Sequence, residues 1–254
     1  MNKNYLTYPF KVMRITQNYK GKTSHLPHTL GNIKDYPIDE GGKDSGRDAV
    51  HCTCDKMKVK RVYGVGNGGV NTIWLESCEK VHFADGTRDF CTMLITHPND
   101  SDLRGIKVGK IFKRGDVICH EGMDGATGNH IHLSAGKGRY IGNGWKKNSK
   151  GKYVLTCTGG AFKPEKLFYI DDNFTKIISA GGIAFKKLPA EFSAGCYKAN
   201  TAALNIRKGA GTNFAKNGAL ELGDKVEILE ISGNWGRFAV QKWICLDYCV
   251  KVGA

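Results

Sequence analysis

Between residues 46 and 133 the chain advances in short apolar runs that never hold a helical period, and this constrains its fold more than any other feature. Met57-Lys58-Val59-Lys60-Arg61-Val62-Tyr63 alternates apolar and polar residues, the pattern of a half-exposed strand. Thr72–Ser77 and the run from Phe90 to Thr96 read as further strands, the second apolar enough to be buried. Gly64–Gly69 and Asp85-Gly86-Thr87 supply turns between them. With 33 glycines against 6 prolines, the composition suits a turn-rich, strand-rich protein. A mainly β fold with antiparallel sheets is the expectation. At 41% hydrophobic and 10% aromatic residues the chain can bury real cores, and 254 residues suit one large or two ordinary domains.

One run carries the chemistry. Gly128-Asn129-His130-Ile131-His132-Leu133 follows the Gly-rich turn Asp124-Gly125-Ala126-Thr127-Gly128 and reads as a strand. Strand periodicity is two, so His130 and His132 are expected on one face, where one imidazole can bind a metal and the other can act on a nearby water. A zinc hydrolase needs about three protein ligands and one open position. The other candidates are His25 and His28 in Ser24-His25-Leu26-Pro27-His28-Thr29, Asp35 and Asp39 just after them, and His97 at the end of the apolar run Met93–Thr96. His51, His82 and His120 are read as ordinary histidines, and Cys52-Thr53-Cys54 as two half-buried thiols.

The order His…Asp…His…His-x-His resembles the M23 zinc peptidases, the LytM/lysostaphin type. The stretch from Val108-Gly109 to Ser134 is close to that family's "VGxxVxxGxxIxxxGxTGxxxGxHLHxE" run, and the resemblance spans roughly residues 10–172. It implies an antiparallel β peptidase domain that uses Zn2+. The implied metal ligands are Asp39, preferred over Asp35, His132, and one of His25 and His28. Catalysis is implied for His97 and His130. Two departures stand out: the family's first motif is stretched, and its final Glu is Ser134 here. Residues 137–172 look like an extension of this domain, either a wall of the substrate groove or a hairpin cap.

From Cys196 the pattern changes. Leu204-Asn205-Ile206-Arg207-Lys208-Gly209, then Val226-Glu227-Ile228-Leu229, then Gly233-Asn234-Trp235 and Trp243-Ile244 resemble a bacterial SH3-type (SH3b) module, an SH3-like β-barrel. The expected organisation is a catalytic domain over 1–178, a linker over 179–195 around Ala180-Gly181-Gly182, and a wall-binding module over 196–254. The implied activity is peptidoglycan hydrolysis by an endopeptidase, with the domain order of a phage endolysin. The net charge of +14 calls for an anionic partner, and with these motifs peptidoglycan and anionic wall polymers are the expected ones rather than nucleic acid. No run of 18 apolar residues is present, so stable membrane insertion is not expected. The first ten residues lack an apolar signal core, and nine cysteines make an odd count, so the host cytoplasm before lysis is the expected location, with reduced thiols. Two rivals are a non-catalytic wall-binding protein on a degenerate peptidase fold and a nucleic-acid-binding protein.

Overall fold

The computed structural model of the chain describes residues 3–20, 28–30, 33–41, 46–142, 145–151, 153–155, 161–171, 176–189 and 192–252, with the backbone alone described at 28–30, 33–35, 145, 153 and 155. The chain divides into two compact units, 1–188 and 189–254. Strand pairing continues through Lys176–Ser179 and Lys186–Lys187, so 179–188 belongs to the first unit. The division at 188/189 falls within the segment 179–195 expected as the linker, the first part of which pairs with the first unit. The fold is mainly β. Helix among the described residues amounts to the short turns Asp100–Leu103 and Pro164–Leu167 and the 3-10 turn Leu246–Tyr248.

An eight-stranded sheet organises the first unit. Its strands are β1 (Val12–Gln17), β2 (Ile38–Gly41), β3 (Lys56–Tyr63), β4 (Thr72–Ser77), β5 (Cys91–Thr96), β6 (Ile111–Lys113), β7 (Ile131–Lys137) and β8 (Lys176–Ser179). They lie in the order β6-β3-β4-β5-β7-β2-β1-β8. Every neighbouring pair is antiparallel except β1 and β8. The exception follows from connectivity, because β8 reaches the edge after a long excursion and a parallel partner needs such a crossover.

Pairing fixes what each face presents. Thr96 stands opposite Thr72 on one side and His132 on the other, and His132 stands opposite Asp39. The next row of the same face holds Trp74, Leu94 and Ser134. The intervening residues Ile38, Val59, Ile73, Leu75, Met93, Ile95, Ile131 and Leu133 point the other way into the main core, and none is more than 1% exposed. Burying each is worth about 1.5–3 kcal/mol. On the first face Ala161 covers Trp74 and Leu94, with Tyr63 and Tyr140 packed alongside, and the Arg61 guanidinium lies 5.0 Å from the Trp74 ring. The segment after β7 thus covers the middle of that face beside the Asp39–His132 row.

The second unit consists of a three-stranded sheet centred on Gly195–Ala199 and a five-stranded sheet that includes Leu204–Arg207, Trp235–Ala239 and Lys242–Cys245. Tyr197, Leu204, Ile206, Ile228, Ile244 and Leu246 build its core. Trp235 and Trp243 are half-buried and stand outside that core, which leaves Trp235 lining a cleft of about 660 Å³ with Asn205, Arg207 and Tyr248.

Gly122 joins two loops at the open end of the first-unit sheet. Its N–H donates to the His130 carbonyl at 3.2 Å, and the His130 N–H donates back at 3.1 Å. A Cβ at this position would lie 2.4 Å from the His97 carbonyl oxygen and 2.7 Å from the Asn99 nitrogen. Both obstacles are anchored backbone atoms, so they cannot swing aside. Gly122→Ala is expected to cost about 1–3 kcal/mol by overpacking, read as a lower urea midpoint at unchanged slope. Unchanged stability would show that the two loops do not meet this closely.

Candidate active site

Four of the side chains singled out in the sequence converge where β2, β5 and β7 end. Asp39 and His132 face each other across the β2–β7 ladder, with Asp39 Oδ1 3.2 Å from His132 Nδ1. Asp39 Oδ2 lies 3.7 Å from His130 Nε2. The His97 ring centroid is 4.7 Å from that of His130 and 6.4 Å from that of His132. His130 and His132 therefore share a face, as strand periodicity requires, and Asp39 is 6% exposed beneath them. His25 lies outside the described residues. His28 begins a short strand, His28–Leu30, paired with Ile33–Asp35 so that its backbone stands opposite Asp35, and its side chain lies outside the described residues.

His97 occupies an unusual backbone conformation, φ 84°, which a non-glycine residue adopts only when its surroundings over-determine it. The surroundings do. The His97 N–H donates to the Asn71 carbonyl at 3.0 Å, and Nδ1 donates to the Asp124 carbonyl at 2.7 Å. Asp124 is fixed in turn through its carboxylate, which accepts the Asn71 N–H. Asn99 Oδ1 ties the two loops together by accepting the Met123 N–H at 3.0 Å. The sequence pattern does not mark Asp124, Asn99 and Gly122 as contributors. The available signal is the Asn99-x-x-Asp102 capping pattern directly after His97-Pro98, in which the Asn99 N–H donates to Asp102 at 3.2 Å.

Tautomers follow from these partners. A carbonyl oxygen only accepts, so Nδ1 of His97 carries the hydrogen. His130 Nδ1 likewise donates to the Gly128 carbonyl at 2.8 Å. In each ring, when neutral, the lone pair then lies on Nε2. Burial holds the His97 imidazole below the usual histidine range; the bond to Asp124 opposes this, and His130 and His132 reinforce it. His97 is thereby kept neutral and basic at Nε2.

The next residue, Glu40, points to the opposite face and is fully buried. Its Oε1 accepts the Arg14 N–H at 2.9 Å. Burial pushes its carboxyl well above the usual range, the Tyr8 hydroxyl and Arg14 pull it back, and Glu121 pushes it up again. Gly41 lets Glu121 come close, since a Cβ there would sit 2.9 Å from Glu121 Oε2. Asp39 and Glu40 are thus neighbours in sequence with opposite environments, and Asp39 alone faces the histidines. The remaining histidines hold other structure: His51 Nδ1 bonds the Gly115 carbonyl at 3.0 Å, and His120 Nδ1 bonds Asp102 at 3.0 Å. Cys52 and Cys54 are buried with their thiols directed at backbone carbonyls. The eight described cysteines are all free thiols.

The separation of the donor pair admits a shared metal as well as the direct hydrogen bond. Two tetrahedral ligands each about 2.0–2.1 Å from the metal are about 3.3 Å apart, and Asp39 Oδ1 and His132 Nδ1 are 3.2 Å apart. Among the described residues no group of three or more His, Cys, Asp or Glu is placed to hold a metal ion. The third donor expected from the sequence falls on His25 or His28, whose side chains lie outside the described residues.

No family model matches the chain. Among solved structures it is similar to the antimicrobial peptidase lysostaphin from Staphylococcus simulans, with 15% identity, a TM-score of 0.30, and coverage of 90% of this chain and 87% of that one. An NMR solution structure of lysostaphin gives 15% identity, a TM-score of 0.32, and coverage of 92% and 88%. Likenesses at this level carry no argument about the site, whose chemistry rests on the distances above.

The depressed His97 value yields a test. In protein kept metal-free by a chelator, NMR titration should place its protonation midpoint below 6.5. The unfolded chain then binds a proton that the folded one refuses. The associated stability is complete above 6.5 and is lost as pH falls towards the folded value, with a slope of at most about 1.4 kcal/mol per pH unit. A midpoint at or above 6.5 would contradict the buried, carbonyl-bound ring.

Proposed function

We propose that the chain is a peptidoglycan hydrolase, a zinc-dependent endopeptidase that cuts a stem or cross-bridge peptide bond in bacterial cell walls. The observation that carries this reading is the convergence of Asp39, His97, His130 and His132 at the open end of one sheet face. The motif resemblance over residues 10–172 supplies the substrate class. Asp39, His132 and one of His25 and His28 hold the metal. Zinc, when bound, supplies Lewis acidity toward a peptide carbonyl and makes water acidic near neutral pH. The chain's own groups do the rest. His130 and His97 each offer an Nε2 lone pair to the proton of an attacking water, and the same nitrogen, once protonated, donates to the developing oxyanion or the leaving amine. The 196–254 segment acts as an SH3-type wall-binding module, supported by the Trp235–Tyr248 cleft. The free thiols accord with a phage enzyme held in the host cytoplasm before lysis.

The function is tested by digesting peptidoglycan of several wall chemotypes and identifying new termini by mass spectrometry. One class of peptide bond should be cut, and a chelator should abolish the cutting. Stoichiometric zinc with no new termini in any chemotype would overturn the reading in favour of a wall-binding protein.

Single substitutions test the assignments. His132→Ala should lose zinc and lysis together. His130→Ala and His97→Ala should keep zinc and fold while losing about 100-fold or more in rate. Of His25→Ala and His28→Ala, one should lose zinc and the other should keep it. Full zinc in His132→Ala would refute its role as a ligand. Near wild-type lysis by both His130→Ala and His97→Ala would refute their roles in catalysis.

A further inference from the structure

The far edge of the same sheet face carries a row of cations that the proposed chemistry does not use. Lys56 and Lys58 alternate along β3, where neighbours two apart are about 6.6–6.8 Å apart, and Lys60 follows at a bulge between Val59 and Arg61. β6 pairs with β3 so that Lys113 stands directly opposite Lys56, and Ile111 opposite Lys58. Lys58 is also opposite Glu76 of β4, and Glu76 belongs to the face that holds Trp74, Thr96, His132 and Asp39. Four strand-to-strand steps separate β3 from β2, about 19 Å at 4.7–4.9 Å each. The cation row and the candidate zinc pair thus share one face of one sheet.

These charges are not compensated locally. Carboxylates on the paired strand and adjoining turns have other partners: Glu76 accepts from Arg139 at 3.2 Å, from the Tyr140 N–H at 2.6 Å and from Lys60 at 3.5 Å. Asp55 pairs with Arg114 at 3.0 Å, and Asp116 accepts the Lys113 backbone N–H at 2.8 Å. Among the described residues no carboxylate pairs with the ammonium groups of Lys56, Lys58 or Lys113, all three of which are exposed. Like charges directly opposite one another destabilise a sheet. Lysines do protect sheet edges from aggregation, but that explains Lys113 on the edge strand β6 and not Lys56 and Lys58 on the interior strand β3.

We infer that the Lys56–Lys58–Lys113 cluster is a docking site for a phosphodiester polyanion, a poly(glycerol phosphate)-type wall polymer, on the sheet face that also holds the candidate zinc pair. Three neighbouring lysines without carboxylate partners match a chain that carries a negative charge on each successive repeat. The choice of a wall polymer rests on the wall-directed function proposed above, whereas the binding site itself rests on pairing and charge.

The test uses the full chain and purified, lipid-free poly(glycerol phosphate). Affinity is measured over a range of salt for wild type, for K56Q/K58Q/K113Q, and for a control of equal charge change, K11Q/K166Q/K187Q, at exposed lysines elsewhere in the first unit. The cluster variant should bind at least about tenfold more weakly at low salt. Its log affinity against log salt should flatten by about 2, at about 0.7 per lost phosphate contact. The control should bind like wild type. Equal binding by the cluster variant, equal loss in the control, or tighter binding of a single-stranded oligonucleotide with the same number of phosphates would each overturn the inference. Cleavage of a small polymer-free wall peptide is measured in parallel and should be the same in all three proteins. Its complete absence even in wild type would sink the hydrolase reading while leaving the polymer-binding result to decide this one.

Discussion

The β2–β7 register sets everything else at the site. It puts Asp39 opposite His132 on one face while Ile38, Ile131 and Leu133 fill the core on the other. A slip of one residue would exchange the faces, burying a carboxylate and an imidazole and exposing three apolar side chains. At about 1.5–3 kcal/mol for each apolar side chain the core alone enforces the register. The polar pair is therefore positioned by hydrophobic packing behind it and needs no favourable interaction of its own to stay in place. In the proposed site a metal would meet two donors already held in place.

Placing His97 takes a different device. It stands just past the end of β5, where the ladder no longer dictates direction, in a left-handed conformation. Two loops grip it instead, through Asp124, Asn71 and the contact at Gly122. The same bonds select its tautomer. Behind the site Glu40 and Glu121 are both buried, an arrangement that burial and mutual repulsion disfavour and that bonds from Arg14 and Tyr8 offset. The sheet end thus concentrates unfavourable features, as sites under chemical constraint commonly do.

Much of this is legible in the sequence. Alternation over Met57–Tyr63 and the apolar run ending at Thr96 locate strands β3 and β5 to within a residue, because period two and burial leave a direct trace. The same period places His130 and His132 together. Other features leave no such trace. The parallel pairing of β8 and the unit boundary at Leu188 depend on contacts distant in sequence, whereas a Gly-Gly pair at 181–182 reads as a linker from local chemistry alone. That Asp39 and not Glu40 faces the histidines follows only from the cross-strand partner. The loops around His97 act mainly through backbone groups, which side-chain identity scarcely encodes. The cation row across β3 and β6 is visible in the sequence only as net charge until pairing aligns it.

The proposed chemistry stands or falls on whether Asp39 and His132 hold zinc beside His97 and His130. Zinc K-edge X-ray absorption on the full chain loaded with one equivalent of metal decides this. The expected spectrum has a first shell of oxygen and nitrogen only, at about 2.0–2.1 Å, with the outer-shell signature of two imidazoles. The Asp39→Asn variant should lose that shell. A sulfur shell at about 2.3 Å would move the metal to the cysteines, and an unchanged spectrum in Asp39→Asn would remove Asp39 from the site; either result would overturn the proposed zinc site.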